Sequence, residues 1–147
     1  MSLENYARNS WIAAEPTSAE EIGGLLAIVA RGIADSDVEA ISLDLRFAAA
    51  FSAALSAATA ALRAAGYRTK TQAGHHQKTV ECLEFTIGAD QKLINRMRML
   101  SKKRNITFYD TVGNISEQDL RLAQETAAAL LRDVTLWLKK LHPELLK

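Results

Sequence analysis

The sequence predicts a single all-α domain, an up-and-down four-helix bundle with one or two additional helices at its N-terminus. The 147 residues fit one domain, and 48% of them are hydrophobic, which is enough to form a core. Only two prolines and seven glycines interrupt the chain, and strand signals are nearly absent. Apolar residues recur instead at alternating intervals of three and four, the spacing of one face of a helix.

Two capping-box patterns mark helix starts in the first third of the chain. Thr17 or Ser18 is followed by acidic residues and is predicted to open a helix that runs to about Ala34. Ser36 repeats the pattern and is predicted to open a long helix over residues 37–65. The predicted core seam of this helix consists of Val38, Ile41, Leu45, Ala48, Ser52, Leu55, Thr59 and Leu62.

Three more helices are predicted downstream. Two of them cover residues 74–87 and 90–108, with Gly88 as the stop between them. The last covers residues 116–141 and is closed by Pro143. Its predicted core seam consists of Leu120, Ala123, Ala127, Leu130, Val134, Trp137 or Leu138, and Leu141. These helices complete one domain over residues 1–147, in which residues 1–16 are an N-terminal extension.

Charge is unevenly distributed, although the formal net charge is only +1. Residues 1–60 carry eight acids and three bases, a net of −5, whereas residues 61–110 carry four acids and ten bases, a net of +6. Residues 111–147 carry five of each. The basic block can attract an anionic partner such as nucleic acid or nucleotide, or it can dock on its own acidic third or on a second subunit.

Cysteine usage and hydropathy predict a cytoplasmic protein. The single cysteine, Cys82, lies inside a helical pattern and cannot form an internal disulfide, so we expect a buried, inert thiol. The N-terminus has no apolar segment that resembles a signal peptide, and no stretch approaches the ~20 apolar residues of a membrane span. We therefore expect neither export nor membrane insertion.

Sequence signatures of metal and cofactor enzymes are missing. The chain has no phosphate-binding glycine loop, no paired cysteines, no Glu-x-x-His metal pair and no Gly-x-Ser-x-Gly motif. We therefore expect no metal and no cofactor.

Unusual polar residues cluster in two places, the turn Gly74-His75-His76 and residues 101–110. In the second cluster Arg104 can bind phosphate or carboxylate with two parallel hydrogen bonds, and Asn105 and Tyr109 add an amide and a phenol. The structural alternative is that Arg104 stabilises a helix C-terminus or pairs with Asp110, and that neighbouring cations such as Lys103 only solvate a helix face.

The histidine pair is predicted at a helix N-terminus, where the helix dipole disfavours a charged imidazole. Adjacent residues on a helix do not face one direction, so we expect at most one of His75 and His76 to point inward. A satisfied structural histidine is the alternative to a functional one.

Together, the two clusters resemble the HEPN superfamily of helical domains. The resemblance rests on Gly74-His75-His76 at the start of one predicted helix and on Arg104-Asn105-x-x-x-Tyr109-Asp110 at the end of the next, and it covers roughly residues 38–138. It implies a helical bundle, commonly a homodimer, and partners such as nucleotidyltransferases or antitoxins. It also implies an activity, because many members are metal-independent ribonucleases with an Arg, a polar residue and a His in their motif.

The motif histidine of that family falls on Tyr109, and tyrosine, with an ordinary pKa near 10, is poorly suited to proton exchange at neutral pH. We therefore expect a non-catalytic, homodimeric HEPN-like module that binds nucleotide, RNA or a partner protein, with Arg104, Asn105, Tyr109, Lys103, His75 and His76 as ligand-binding residues. One alternative is a metal-independent ribonuclease, perhaps of a toxin–antitoxin system, in which Arg104, Asn105, Tyr109, His75 and His76 are catalytic. The other is a purely structural assembly protein without a ligand.

Overall fold

The computed structural model describes residues 1–70, 74–109 and 115–147, and within residues 106–109 it describes the helical backbone only. The described chain is mostly helical, with about five substantial helices and one small two-stranded sheet. Its α-helices are α1 (Leu3–Arg8), α2 (Ala19–Ser36), α3 (Leu43–Ala64), α4 (His75–Glu81), α5 (Gln91–Tyr109) and α6 (Glu117–Leu141). Its strands are β1 (Ile12–Ala14) and β2 (Tyr67–Thr69), and short 3-10 helices follow α4 (Cys82–Phe85) and α6 (Pro143–Leu146).

Several predicted helix ends are confirmed by their capping geometry. The Ser18 hydroxyl accepts the backbone N–H of Glu21 at 3.1 Å and starts α2. Ser116 starts α6 with a complete capping box, in which its side chain and that of Asp119 each bond the other's backbone N–H. Two glycines with positive φ angles end helical segments. Gly66 (φ 94°) follows α3, and Gly88 (φ 72°) precedes α5.

The predicted helix start at Ser36 is wrong, because Ser36 ends α2 instead of opening α3. Its hydroxyl donates to the carbonyl of Ile33 at 2.6 Å, and α3 starts later, with Ser42 as its N-cap. Val38 and Ile41 of the predicted seam consequently precede α3, and both are exposed, as are the seam residues Leu45 and Ser52 within the helix. The buried face contains Phe47, Ala50, Phe51, Ala54, Ala57, Ala58 and Ala61. Alanines lie on several faces of α3, so spacing alone did not identify the face that carries the two phenylalanines.

The N-terminal extension contains a strand that was not predicted, because the sequence showed no strand signal there. Strands β1 and β2 pair antiparallel, with Ile12 opposite Thr69. Ile12 and Tyr6 are buried in a small apolar cluster with Leu62 and Cys82. The extension is therefore packed on the end of α3.

Helix α3 is the central element of the fold. One side of it packs on α2 and α6, and it also contacts α4 and α5. The approach to α2 is close at Gly32, where a Cβ atom would lie 3.1 Å from Ala53 Cβ. The predicted seam of α6 is confirmed, because its residues are buried from Leu120 to Leu138, but Leu141 is exposed.

By length and composition, α3 is a candidate membrane span, which the sequence reading did not anticipate. Its 22 residues include an 18-residue window that meets the hydropathy criterion, and 56% of that window is buried inside the protein. A helix at the centre of an alanine-rich core meets the same criterion.

Candidate functional site

A cleft of about 440 Å³ lies between the start of α4 and the second half of α5. It joins the two clusters that the sequence singled out, which are about thirty residues apart along the chain. Its lining residues are Phe51, Gly74, His75, His76, Gln77, Ser101, Arg104 and Asn105. We call it the His–Arg cleft.

A left-handed turn positions the histidine side of the cleft. Gly74 is the N-cap residue of α4 and has a φ of 83°, a conformation that L side chains rarely adopt. The helix starts immediately after it, and Thr79 fastens the first turn by donating to the carbonyl of His75 at 3.1 Å. The glycine thereby places both histidines at the mouth of the cleft.

Helix α5 positions the arginine side. Its residues Ile94, Met97 and Leu100 are buried, which fixes the helix on the core. The guanidinium carbon of Arg104 lies 5.7 Å from the ring centroid of Phe51, a cation–π distance. Because Phe51 is buried on α3, the charged group is held where the apolar core meets the cleft.

Both histidines line the cleft, and their ring centroids are 3.9 Å apart, at an interplanar angle of 45°. His75 is partly buried and His76 is exposed, so the prediction that at most one of them points inward is not contradicted. His76 belongs to the exposed residues, yet partial burial of its ring lowers its pKa from the ordinary value of 6.5, and the nearby charges of His75 and Arg104 lower it further.

A lowered pKa keeps the His76 imidazole neutral near pH 7, with one ring nitrogen as a donor and the other as an acceptor. Beside it, Arg104 supplies a fixed positive charge, and Asn105, Gln77 and Ser101 supply neutral polar groups. This set of donors can hold a phosphate or a carboxylate. The neutral His76 imidazole can also take up a proton when an anion binds beside it.

Of the predicted site residues, Lys103 lies away from the cleft, and the side chain of Tyr109 is not described. Lys103 is not among the residues that line the His–Arg cleft, and its Nζ donates to Asp119 Oδ2 at 2.8 Å, which ties α5 to the first turn of α6. Tyr109 is the last residue of α5, and its side chain lies outside the described residues, as does the whole of Asp110.

Sequence reasoning missed Phe51 and Gln77. Phe51 is an apolar residue within a helical pattern, as an ordinary core residue is, so nothing in the sequence marks it as a support for Arg104. Gln77 follows the histidine pair within one helical turn, and that proximity was the available signal.

Other reactive groups in the described part of the chain do not form a second chemical centre. Within residues 1–70, 74–105 and 115–147, no group of three or more His, Cys, Asp or Glu side chains could hold a metal ion. Cys82 is buried, as predicted, and burial raises the pKa of its thiol to about 12, which keeps the thiol unreactive at neutral pH.

Comparison of the chain with protein-family models, with curated proteins and with solved structures gave no match to any of them. The interpretation of the His–Arg cleft therefore rests on its own residues.

Proposed function

We propose that this chain is a HEPN-like module, an up-and-down helical bundle, that binds a phosphate group of a nucleotide or RNA in the His–Arg cleft without cleaving it. One observation carries the proposal: a single cleft gathers Arg104, Asn105 and both histidines from two separate helices. A fold that needed these residues only for stability would have no reason to place them around one opening.

Phosphate suits the cleft for reasons of charge and geometry. A guanidinium offers parallel N–H donors that match two phosphate oxygens, and contact with the Phe51 face restricts its orientation before a ligand arrives. Neutral His76 can add a hydrogen bond, or can become a second cation once the ligand's charge raises its pKa. The ligand is thus expected to contact one permanent positive charge, on Arg104, and a second one, on His76, that forms when the ligand binds.

Binding without cleavage is supported by the residue at the motif's last position. Tyr109 stands where the resembling ribonucleases carry histidine, and an ordinary tyrosine exchanges its proton far above neutral pH. The motif alone therefore lacks a proton carrier for catalysis.

A metal-independent ribonuclease is the second candidate, and the position of the histidines favours it. Both imidazoles line the same cleft as Arg104, so a phosphate held there would lie beside two side chains that can accept or donate a proton. One imidazole would take the proton of the RNA 2′-hydroxyl as its oxygen attacks phosphorus. The other would give a proton to the departing 5′-oxygen, and Arg104 would stabilise the charge that develops on phosphorus.

One experiment separates the two candidates. Wild type, Arg104→Ala, Arg104→Lys and a His75→Ala/His76→Ala double variant are incubated with mixed-sequence single-stranded RNA in EDTA, and both binding and cleavage are followed. Arg132→Ala on α6, whose side chain is 67% exposed, is the matched control for loss of one positive charge.

The proposal predicts binding without cleavage, weakened roughly 10- to 100-fold in Arg104→Ala and only partly restored by Arg104→Lys, because lysine keeps the charge but loses the fork. Cleavage by wild type that disappears in both the Arg104 and the histidine variants would establish the ribonuclease instead. Absence of both activities, with Arg104→Ala altering stability alone, would leave the purely structural role.

The homodimer is also part of the proposal, together with a nucleotidyltransferase or antitoxin type of partner. Its support is three exposed apolar side chains close in sequence, Val38 and Ile41 between α2 and α3 and Leu45 in the first turn of α3, whose exposed fractions are 44%, 38% and 55%. Light scattering should give a dimeric mass at micromolar concentration, and Leu45→Lys should lower it. Leu136→Lys, at a similarly exposed leucine of α6, should not. A monomeric wild type would contradict the dimer.

A further inference from the structure

A second groove, of about 510 Å³, continues from the His–Arg cleft along α5. The two openings share Gln77, Ser101 and Asn105, so they form one continuous depression. Past these shared residues the groove is lined by Arg98, Met99 and Lys102. We call this part the α5 groove.

The α5 groove carries two cations on one helix face. Arg98 and Lys102 are four residues apart, which places them one turn above each other, and both are exposed. The Arg98 guanidinium lies 3.5 Å from Glu81 Oε2, a contact that orients it towards the groove side of α4. Glu81 does not cancel this charge by itself, since the same carboxylate accepts from Tyr6 at 2.6 Å and pairs with Lys78 at 3.5 Å.

Beside the two cations, on the side away from Arg104, lies an apolar side chain. Met99 is 48% exposed, unlike the buried Met97 two residues earlier. An exposed, flexible thioether offers a favourable contact to the face or edge of an aromatic ring. The groove therefore adds a surface for a planar apolar group next to its positive charges.

The distance between the charges limits the ligand. Arg98 and Arg104 are six residues apart on α5, which corresponds to about 9 Å along the helix axis. A single phosphate does not span that distance, so a ligand that uses both ends must carry two separated anionic groups. Two separated anionic groups, together with an aromatic ring for the surface at Met99, are the features of a single strand of nucleic acid.

We propose that the ligand is a single-stranded oligonucleotide, with one phosphate at Arg104, a second between Arg98 and Lys102, and a base against Met99. This inference rests on the proposed function, because it assumes that the His–Arg cleft binds phosphate. An acidic peptide is the competing polyanion, but it has no base to contact Met99.

The test compares ligand length and matched variants. Binding of uridine monophosphate and of labelled oligouridylates of two, four and eight residues is measured in EDTA as a function of salt concentration. The variants are Arg98→Ala/Lys102→Ala and Met99→Ala. The matched control is Lys92→Ala/Arg96→Ala, which removes the same two residue types from α5 where they line a different opening.

We expect wild type to bind the tetranucleotide at least tenfold more tightly than the mononucleotide. The Arg98/Lys102 variant should lose most of that gain, bind the mononucleotide as wild type does, and show a log–log salt slope reduced by about 0.7, the value for one phosphate contact on a single strand. Met99→Ala should weaken oligonucleotide binding by up to about tenfold. The Lys92/Arg96 control should bind every ligand as wild type does.

Equal affinity for mononucleotide and tetranucleotide would overturn the α5 groove while leaving the phosphate site in place. Equal losses in the variant and in the control would also overturn it, because the effect would then be one of net charge. Displacement of the tetranucleotide by oligoglutamate at equal concentration would assign the groove to an acidic peptide. If wild type binds neither mononucleotide nor oligonucleotide, the proposed function fails and this inference falls with it.

Discussion

Two regions of the molecule surround an arginine with different groups. In the region formed by α2, α3, α6 and the N-terminal segment, Arg63 is only 7% exposed. Its guanidinium donates to the carbonyls of Pro16, Tyr67 and Glu15 and to the carboxylate of Glu21. In the region formed by α4 and α5, Arg104 lies against a ring and beside two histidines in an open cleft.

The difference concerns what surrounds each guanidinium. Arg63 is enclosed by oxygen acceptors that belong to the chain itself, and it joins the end of α3 to the residues before α2 and to β2. Arg104 shares its cleft with imidazole, amide and hydroxyl groups, which can complement an anion supplied from outside. We therefore expect substitutions in the first region to change stability and substitutions in the second to change binding.

The largest effect is expected from Arg63→Ala. It leaves several backbone carbonyls without their charged donor and opens the junction between the N-terminal segment and α3. The free energy of unfolding, measured by urea denaturation, should fall by about 2–4 kcal/mol. RNA binding should be retained under conditions where the variant is folded.

Arg68→Ala is the matched control, because Arg68 has a 45% exposed side chain and pairs with Glu15 at the surface. Its expected cost is below about 1 kcal/mol. If Arg104→Ala proved as destabilising as Arg63→Ala, the distinction between the two regions would be lost, and Arg104 would be a structural residue.

A smaller effect is expected at the contact between α2 and α3. In Gly32→Ala, the new methyl group would lie 3.1 Å from Ala53 Cβ and 3.2 Å from the carbonyl oxygen of Ala49, and both atoms are fixed to the backbone of α3. The helices must separate slightly, so we expect a loss of about 1–2 kcal/mol by urea denaturation.

The same helix provides the control. A Cβ at Gly24 would meet no atom within 4 Å, so Gly24→Ala should stabilise the protein by about 0.5–1 kcal/mol through helix propensity alone. Stabilisation of similar size in both variants would mean that α2 and α3 are not closely packed, and that the first region is less rigid than the Arg63 junction suggests.

Much of the fold follows from local signals, and the exceptions have physical causes. Ser18 and Ser116 were predicted as helix starts because capping is decided by residues within one turn. Ser36 was assigned to the wrong helix end, because a serine hydroxyl can accept at an N-cap or donate to a preceding carbonyl, and the sequence does not distinguish the two. The β1–β2 pairing joins segments more than fifty residues apart, and three-residue strands carry too little pattern to predict it.

The candidate site was predictable as a set of residues but not as a shape. Histidines after a glycine, and an arginine with an asparagine at a helix end, stand out from a bundle because core packing does not require them. Phe51 has no such signal, since its role arises from the approach of α5 to α3. Lys103 shows how little a charge says about its partner, because its Nζ pairs with Asp119 of α6, a contact that the sequence did not indicate, and its contact with a ligand stays a prediction.

The smallest expected effect concerns the pH dependence of stability. It comes from His76 of the cleft, and His142 of the other region serves as the comparison. The pKa of His76 lies below 6.5 in the folded chain, so between that lowered value and 6.5 the unfolded chain binds more protons than the folded one. Stability therefore falls as the pH falls through that window and is level below it. The change should be a fraction of a kcal/mol, because His76 is largely solvated.

A bound phosphate reverses the sign of the electrostatic effect on His76. The ligand's negative charge raises the pKa of the imidazole, so proton uptake accompanies binding, and affinity should increase as the pH is lowered through 6.5. Histidine ring signals followed by NMR with and without uridine monophosphate would show this directly. His142, which packs on Trp137 with ring centroids 4.9 Å apart, is the internal control, and its ring signals should not change when uridine monophosphate is added. Equal shifts at His76 and His142 would indicate a general ionic effect. A shift at His76 without one at His142 places the bound phosphate in the cleft.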